Sequence, residues 1–196
     1  MLLLAVACTF VAAGCISGIQ ATPPGSVAGR QFYDLGNLTG WKYAVNMSAS
    51  GVDSSWNMTV NNTRGEGGER HMIVGTIGNG MDIVYDIWWN ATTYQVSRMH
   101  ARGWVGDDYQ DRDVSTLQIY TLPDTGLTYY FVPFQHAGNV TVKGGNGAES
   151  LAYVYTAADN KGFRVTYWAH PMVPLPIKVE MSSADFKITM TLVDYR

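Results

Sequence analysis

From Trp41 onward apolar residues recur with a period of two, and that alternation confines most of the chain to β-structure. In Trp41-Lys42-Tyr43-Ala44-Val45-Asn46-Met47-Ser48 the odd positions are apolar and most even ones polar, the pattern of a strand with one buried face. The next run reverses the parity: Trp56, Met58 and Val60 face one way, Ser55, Asn57, Thr59 and Asn61 the other. No window carries a capped apolar stripe of helical period, so helices are expected to be short, with one turn within 28–36. The candidate strands are 41–50, 55–62, 70–77, 81–88, 93–100, 115–121, 127–132, 139–143, 151–157, 162–169, 176–181 and 186–193. Turns such as Gly78-Asn79-Gly80, Asn90-Ala91-Thr92 and Asp159-Asn160-Lys161-Gly162 join them as hairpins, which implies antiparallel pairing.

About ten to twelve strands in one layer do not stay flat; they curl into a half-barrel, close into a barrel, or fold over as a sandwich. The chain can bury a core by itself, with 46% hydrophobic and 12% aromatic residues in 196 positions. Charged residues make up only 15%, the net charge is −3, and no basic run occurs, which argues against a nucleic-acid partner.

The first charged residue is Arg30. Residues 2–14 are apolar or small, and too few to span the hydrocarbon layer, which takes roughly 20 apolar residues. They read as a signal-peptide core. Ala12-Ala13-Gly14-Cys15 resembles the lipobox of prokaryotic lipoprotein signals, which implies lipidation at Cys15. Residues 1–14 are then a leader, 15–29 a Gly/Pro/Ser tether, and 30–196 a single antiparallel β domain. The implied location is the outer face of the cytoplasmic membrane. An ordinary secretory signal, with Cys15 a bystander, is the other reading.

Asn-X-Ser/Thr occurs at Asn37, Asn46, Asn57, Asn61, Asn90 and Asn139. Strand parity turns Asn46, Asn57 and Asn61 away from the apolar face, where a glycan costs nothing in packing. Dense sequons on an exported lipoprotein resemble archaeal surface proteins more than bacterial ones.

Catalytic signatures are scarce. The four histidines stand far apart in sequence, and no nucleophile elbow, phosphate loop or His-Glu-X-X-His occurs. No cofactor is expected. Asp107, Asp108, Asp111 and Asp113 form the one acidic cluster, read as a solvated loop with calcium as a weaker alternative. The aromatic and methionine residues Trp41, Tyr43, Met47, Trp56, Met58 and Tyr167 are candidates to line an adaptable apolar pocket; the alternative is that they form ordinary core.

Three C-terminal runs carry a family likeness: Gly162-Phe163-Arg164-Val165-Thr166-Tyr167-Trp168-Ala169-His170-Pro171, Pro174-Leu175-Pro176-Ile177-Lys178-Val179-Glu180-Met181, and Phe186 to Val193. They resemble the closing strands of the LolA/LolB/LppX-like lipoprotein-carrier superfamily. The resemblance implies an antiparallel half-barrel with an apolar cavity for acyl chains, and a protein that binds a lipid or lipoprotein acyl chain without catalysis. A structural or adhesive envelope protein, contacting other envelope proteins, is the alternative. Replacing Cys15 by Ser is expected to release the protein into the detergent-free fraction; retention in the membrane fraction overturns the anchor.

Overall fold

The computed structural model describes residues 26–64, 68–114, 125–127, 132–143 and 149–196. Residues 1–25, with Cys15, the signal segment and most of the tether, lie outside the described residues. So do the candidate strand 115–121 and, apart from Leu127 and Val132, the candidate strand 127–132.

Twelve strands form one antiparallel sheet: β1 (Ser26–Ala28), β2 (Gly40–Ala49), β3 (Val52–Arg64), β4 (Glu69–Gly78), β5 (Met81–Asn90), β6 (Val96–Val105), β7 (Asp108–Val114), β8 (Pro133–Lys143), β9 (Glu149–Ala158), β10 (Arg164–Ala169), β11 (Pro176–Ser182) and β12 (Phe186–Tyr195). Gly29–Phe32 makes a single 3-10 turn, where the sequence predicts one helical turn. The spatial order is β1-β8-β9-β10-β11-β12-β2-β3-β4-β5-β6-β7. Two meanders, β2 to β7 and β8 to β12, therefore join through the β12–β2 pair. The sheet is open, with β1 and β7 at its edges, and the curved-sheet expectation holds over a closed barrel or sandwich.

Turn chemistry sets the register. Asn79 and Gly80 both take left-handed φ (50° and 74°) in the two-residue link between β4 and β5, the mirror-image turn whose twist matches a hairpin. Once the turns fix the pairing, one row of side chains runs unbroken across half the sheet. Tyr155 lies opposite Tyr167, Tyr167 opposite Val179, Val179 opposite Met190, Met190 opposite Val45, and Val45 opposite Trp56. A parallel row joins Trp41, Val60, Val74 and Tyr85. That face holds most of the buried core.

Two expectations change. The cluster at 107–113 is a loop only at Asp107, because Asp108 to Val114 pair along β6 from Val105 to Met99 as the edge strand β7. An edge strand needs no apolar alternation when both faces meet water, which is why its charged sequence hides it. Strand β6 begins at Val96 rather than 93, since Asn90 Oδ1 accepts the backbone N–H of Thr92 and Thr93 and turns the chain there.

Gly103 marks the tightest approach between strands. Its φ is 135°, and a Cβ would meet the Asp82 carbonyl oxygen and lie 2.8 Å from Ile83 Cα. Gly51, with φ 79°, faces open space. Gly103→Ala is expected to cost about 2 kcal/mol or more and Gly51→Ala about 1 kcal/mol, read from denaturant midpoints; equal costs would refute the close-approach argument.

Candidate functional site

Among the described residues, the segment 29–38 covers part of the sheet's apolar face. Phe32, Tyr33, Leu35 and Leu38 are all buried against it. Phe32 sits in an aromatic slot, 5.5 Å from the Phe134 ring centroid, 4.9 Å from Tyr155 and 5.0 Å from Tyr167. Phe134 and Tyr167 stack at 4.5 Å, and Tyr33 packs on Tyr167 at 5.9 Å. Backbone and side-chain bonds hold the segment down: Gly29 N–H to the Val132 carbonyl, Asp34 N–H to that of Pro174, and Asn62 Nδ2 to those of Leu35 and Leu38.

The predicted pocket residues divide. Trp41, Tyr43, Met58 and Tyr167 are no more than 3% exposed and belong to this packed face, with the Tyr43 hydroxyl donating to the Pro176 carbonyl at 2.6 Å. Met47 and Trp56 are half-buried. Both lie on the same face by register, Trp56 across from Val45 and Met47 between Ile188 and Ser54, and Met47 also borders a polar cleft with Asn46, Ser48, Asp53 and Lys187. The structure thus brings all six onto one face, and places Phe32 and Tyr33 of the segment 29–38 against Tyr167. Methionines at 58, 72, 99, 181 and 190 are buried in the same layer, a composition that repacks readily around different shapes. Three buried indole N–H groups, of Trp41, Trp56 and Trp89, have no hydrogen-bond partner among the described residues. Each is an unspent donor in an apolar surrounding, costly unless something accepts from it.

Sequon placement follows the parity argument. Asn37, Asn46, Asn57, Asn90 and Asn139 are exposed, and Asn61 is half-buried beside Arg196, whose Nη2 donates to its Oδ1 at 2.6 Å.

A polar patch that sequence reasoning missed occupies the other face over β4 to β7. His71 Nε2 lies 2.8 Å from Asp86 Oδ1, and Arg102 lies 3.3 Å from Asp86 Oδ2. Trp88 is flanked by the His71 ring at 4.6 Å and by the Arg98 guanidinium at 3.7 Å. Of the neighbours Trp88 and Trp89 in β5, Trp88 is therefore on the solvent side and Trp89 is buried, as strand alternation requires. Next along the sheet, His100 meets Asp113 at 3.0 Å and Asp111 at 2.9 Å. These residues were visible only as isolated histidines and aspartates, because register, not sequence distance, makes them neighbours. Asp107 and Asp108 lie away from that pair: Asp107 is in the turn before β7, and Asp108 points to the other face from Asp111 and Asp113. Among the described residues, no set of three or more His, Cys, Asp or Glu is arranged to hold a metal ion.

On the same polar face, burial pushes the Glu180 carboxyl up, but bonds from Lys178 at 2.9 Å and Lys187 at 3.1 Å outweigh it and hold it below the ordinary value. The bond from His100 to Asp113, opposed by desolvation and aided by Asp111, raises the imidazole above its ordinary value.

No protein-family model matches the chain, and no curated protein matches its sequence. Among solved structures it is similar to the Mycobacterium tuberculosis lipoprotein LppX, at 14% identity over 85% of this chain and 91% of that one, with a TM-score of 0.44. A LolA superfamily protein from Nitrosomonas europaea matches at 10% identity over 86% and 89%, TM-score 0.40. A putative outer membrane lipoprotein-sorting protein domain from Vibrio parahaemolyticus matches at 10% over 80% and 83%, TM-score 0.36.

The His100 pair fastens the edge strand β7 to β6. Because its folded pKa is raised, this fastening is complete below the ordinary histidine pKa of about 6.5 and is lost as pH climbs through the raised value. Amide exchange across 111–114, corrected for intrinsic rates, is expected to be slower near about pH 6 than near about pH 8. Protection that does not change with pH, or a difference that survives His100→Ala, would refute the role given to His100.

Proposed function

We propose that this protein is an exported, membrane-anchored binding protein that takes an apolar ligand, such as a lipid or an acyl chain, on the inner face of its sheet and performs no catalysis. The observation that carries this reading is the aromatic slot of Phe134, Tyr155 and Tyr167, which accepts an apolar group that is not part of the sheet. In this arrangement the group is Phe32, delivered by a short segment held at its two ends and by a few bonds to its carbonyls. A ligand competes with Phe32 and Tyr33 for the slot, and the methionine layer beneath adjusts to its shape. The unspent indole donors of Trp41, Trp56 and Trp89 supply points for a polar atom carried by the ligand.

Lipidation at Cys15, followed by the short tether, would hold the sheet close to the membrane from which such a ligand comes, and a diacyl-type anchor retains a protein where one chain does not. Glycans at the exposed sequons would leave the inner face free.

A second reading has an observation of its own. Trp41, Tyr43 and Met58 are closed off completely, as expected of a structural or adhesive envelope protein that binds partners through its outer surfaces.

Phe32→Ala separates the two. It is expected to lose about 3 kcal/mol of stability and to gain affinity for a neutral amphiphile such as a monoacylglycerol. Organic extraction and native mass spectrometry of the full chain should find more bound lipid on Phe32→Ala than on the parent. If neither protein carries lipid and neither binds monoacylglycerol, the structural reading replaces the carrier.

A further inference from the structure

Where residues 36–39 meet the ends of β3 and β4, a cleft of about 710 Å³ is lined by Leu38, Thr39, Asn62, Thr63, Arg70 and Arg196. Arg70 Nη1 donates to the Leu35 carbonyl at 2.6 Å, and its guanidinium carbon lies 5.5 Å from the Trp89 ring centroid. Arg196 Nη2 donates to Asn61 Oδ1. Neither guanidinium faces a carboxylate among the described residues, whereas Arg102, Lys178 and Lys187 all do. A guanidinium presents several N–H donors in a flat fork that matches a phosphate or carboxylate, and each of these spends one on the protein. At the floor of the cleft Asn62 is 5% exposed. Its Nδ2 is spent on the carbonyls of Leu35 and Leu38, and its buried Oδ1 accepts from nothing among the described residues.

We infer that this cleft binds an anionic head group, a phosphate or carboxylate that also bears a hydroxyl, with Arg70 and Arg196 holding the anion and Asn62 Oδ1 accepting from the hydroxyl. The division follows from charge. Two unpaired cations raise the local potential and favour an anion, while a lone carbonyl-type acceptor calls for a donor. Thr39 and Thr63 add hydroxyls at the walls. The cleft adjoins the segment that covers the inner face, since Leu38 lines the one and is buried in the other. This assignment rests on the proposed apolar-ligand reading only for the source of the anion: a head group whose tail continues under residues 29–38, or a free solute.

Isothermal titration of the full chain, made in a host without N-glycosylation so that Asn37 and Asn61 are bare, tests it with three probes. They are glycerol 3-phosphate, a short-chain lysophosphatidic acid, and the matching monoacylglycerol. Glycerol 3-phosphate is expected to bind saturably, and Arg70→Gln or Arg196→Gln to weaken it about tenfold or more, the loss of a charge-assisted bond. Arg196→Gln alters only a half-open rim and keeps the test valid if Arg70→Gln fails to fold, which a thermal melt reports. Tighter binding of lysophosphatidic acid than of glycerol 3-phosphate identifies an amphiphile as the source; equal binding identifies a free anion. Failure of both anions to bind, or binding unchanged in the Arg196→Gln protein, overturns the site. Monoacylglycerol binding without anion binding leaves the apolar-face reading standing while the anion site falls, and anion binding without monoacylglycerol binding does the reverse.

Discussion

An open sheet with one apolar face cannot leave that face in water, and the rest of this structure follows from how the face is covered. Two meanders of sequence-adjacent hairpins, β2 to β7 and β8 to β12, supply the face; they meet at β12 and β2 to make it continuous, and β1 adds to β8 at one edge. The cover is not a second sheet and, among the described residues, not a helix longer than one turn. Among the described residues it includes the segment from Gly29 to Leu38, whose two aromatic rings pack at the slot formed by Phe134, Tyr155 and Tyr167, with Leu127 and Leu175 buried in the same cluster. Aromatic contacts of this kind add roughly 0.5–1.5 kcal/mol each beyond the area they bury, so a short segment can hold the position. The same contacts make the position one that another apolar group can contest.

The opposite face is organised by charge. Asp86 takes both His71 and Arg102, Glu180 takes two lysines, and His100 bridges two aspartates of the edge strand β7. The His100 pairs are the more exposed and contribute little to stability, whereas Asp86 is buried between its partners. Together the charged pairs keep the sheet soluble and discourage a second chain from adding to β7, whose side chains are charged or polar from Asp108 to Asp113. The polar face and the covered face meet at the rim, where Asn61 and Asn62, neighbours in β3, point to opposite sides and both reach the arginine-lined cleft.

Much of the fold is legible because strand parity is a local property. The opposite parity of Trp41-Tyr43-Val45 and Trp56-Met58-Val60 correctly predicts that these residues share a face, and the register places Tyr43 directly across from Met58. Strand β7 is illegible for the complementary reason: an edge strand wet on both sides has no hydrophobic signal. The site is only half legible. Sequence picks out Trp41, Tyr43, Met58 and Tyr167 as inward-facing apolar residues, but it cannot show that Phe32 stands in front of them. Nor can it find the Arg70 and Arg196 cleft, whose members stand far apart in the chain.

What the sequence by itself determined is the alternation, the turns and therefore an antiparallel sheet with one apolar and one polar face, since each depends on residues within a few positions of one another. The tertiary structure alone decided what lies on each face. Phe32 meets Tyr167 across 135 residues and Asn61 meets Arg196 across the same span, and no local preference encodes a contact that exists only once register and curvature are fixed.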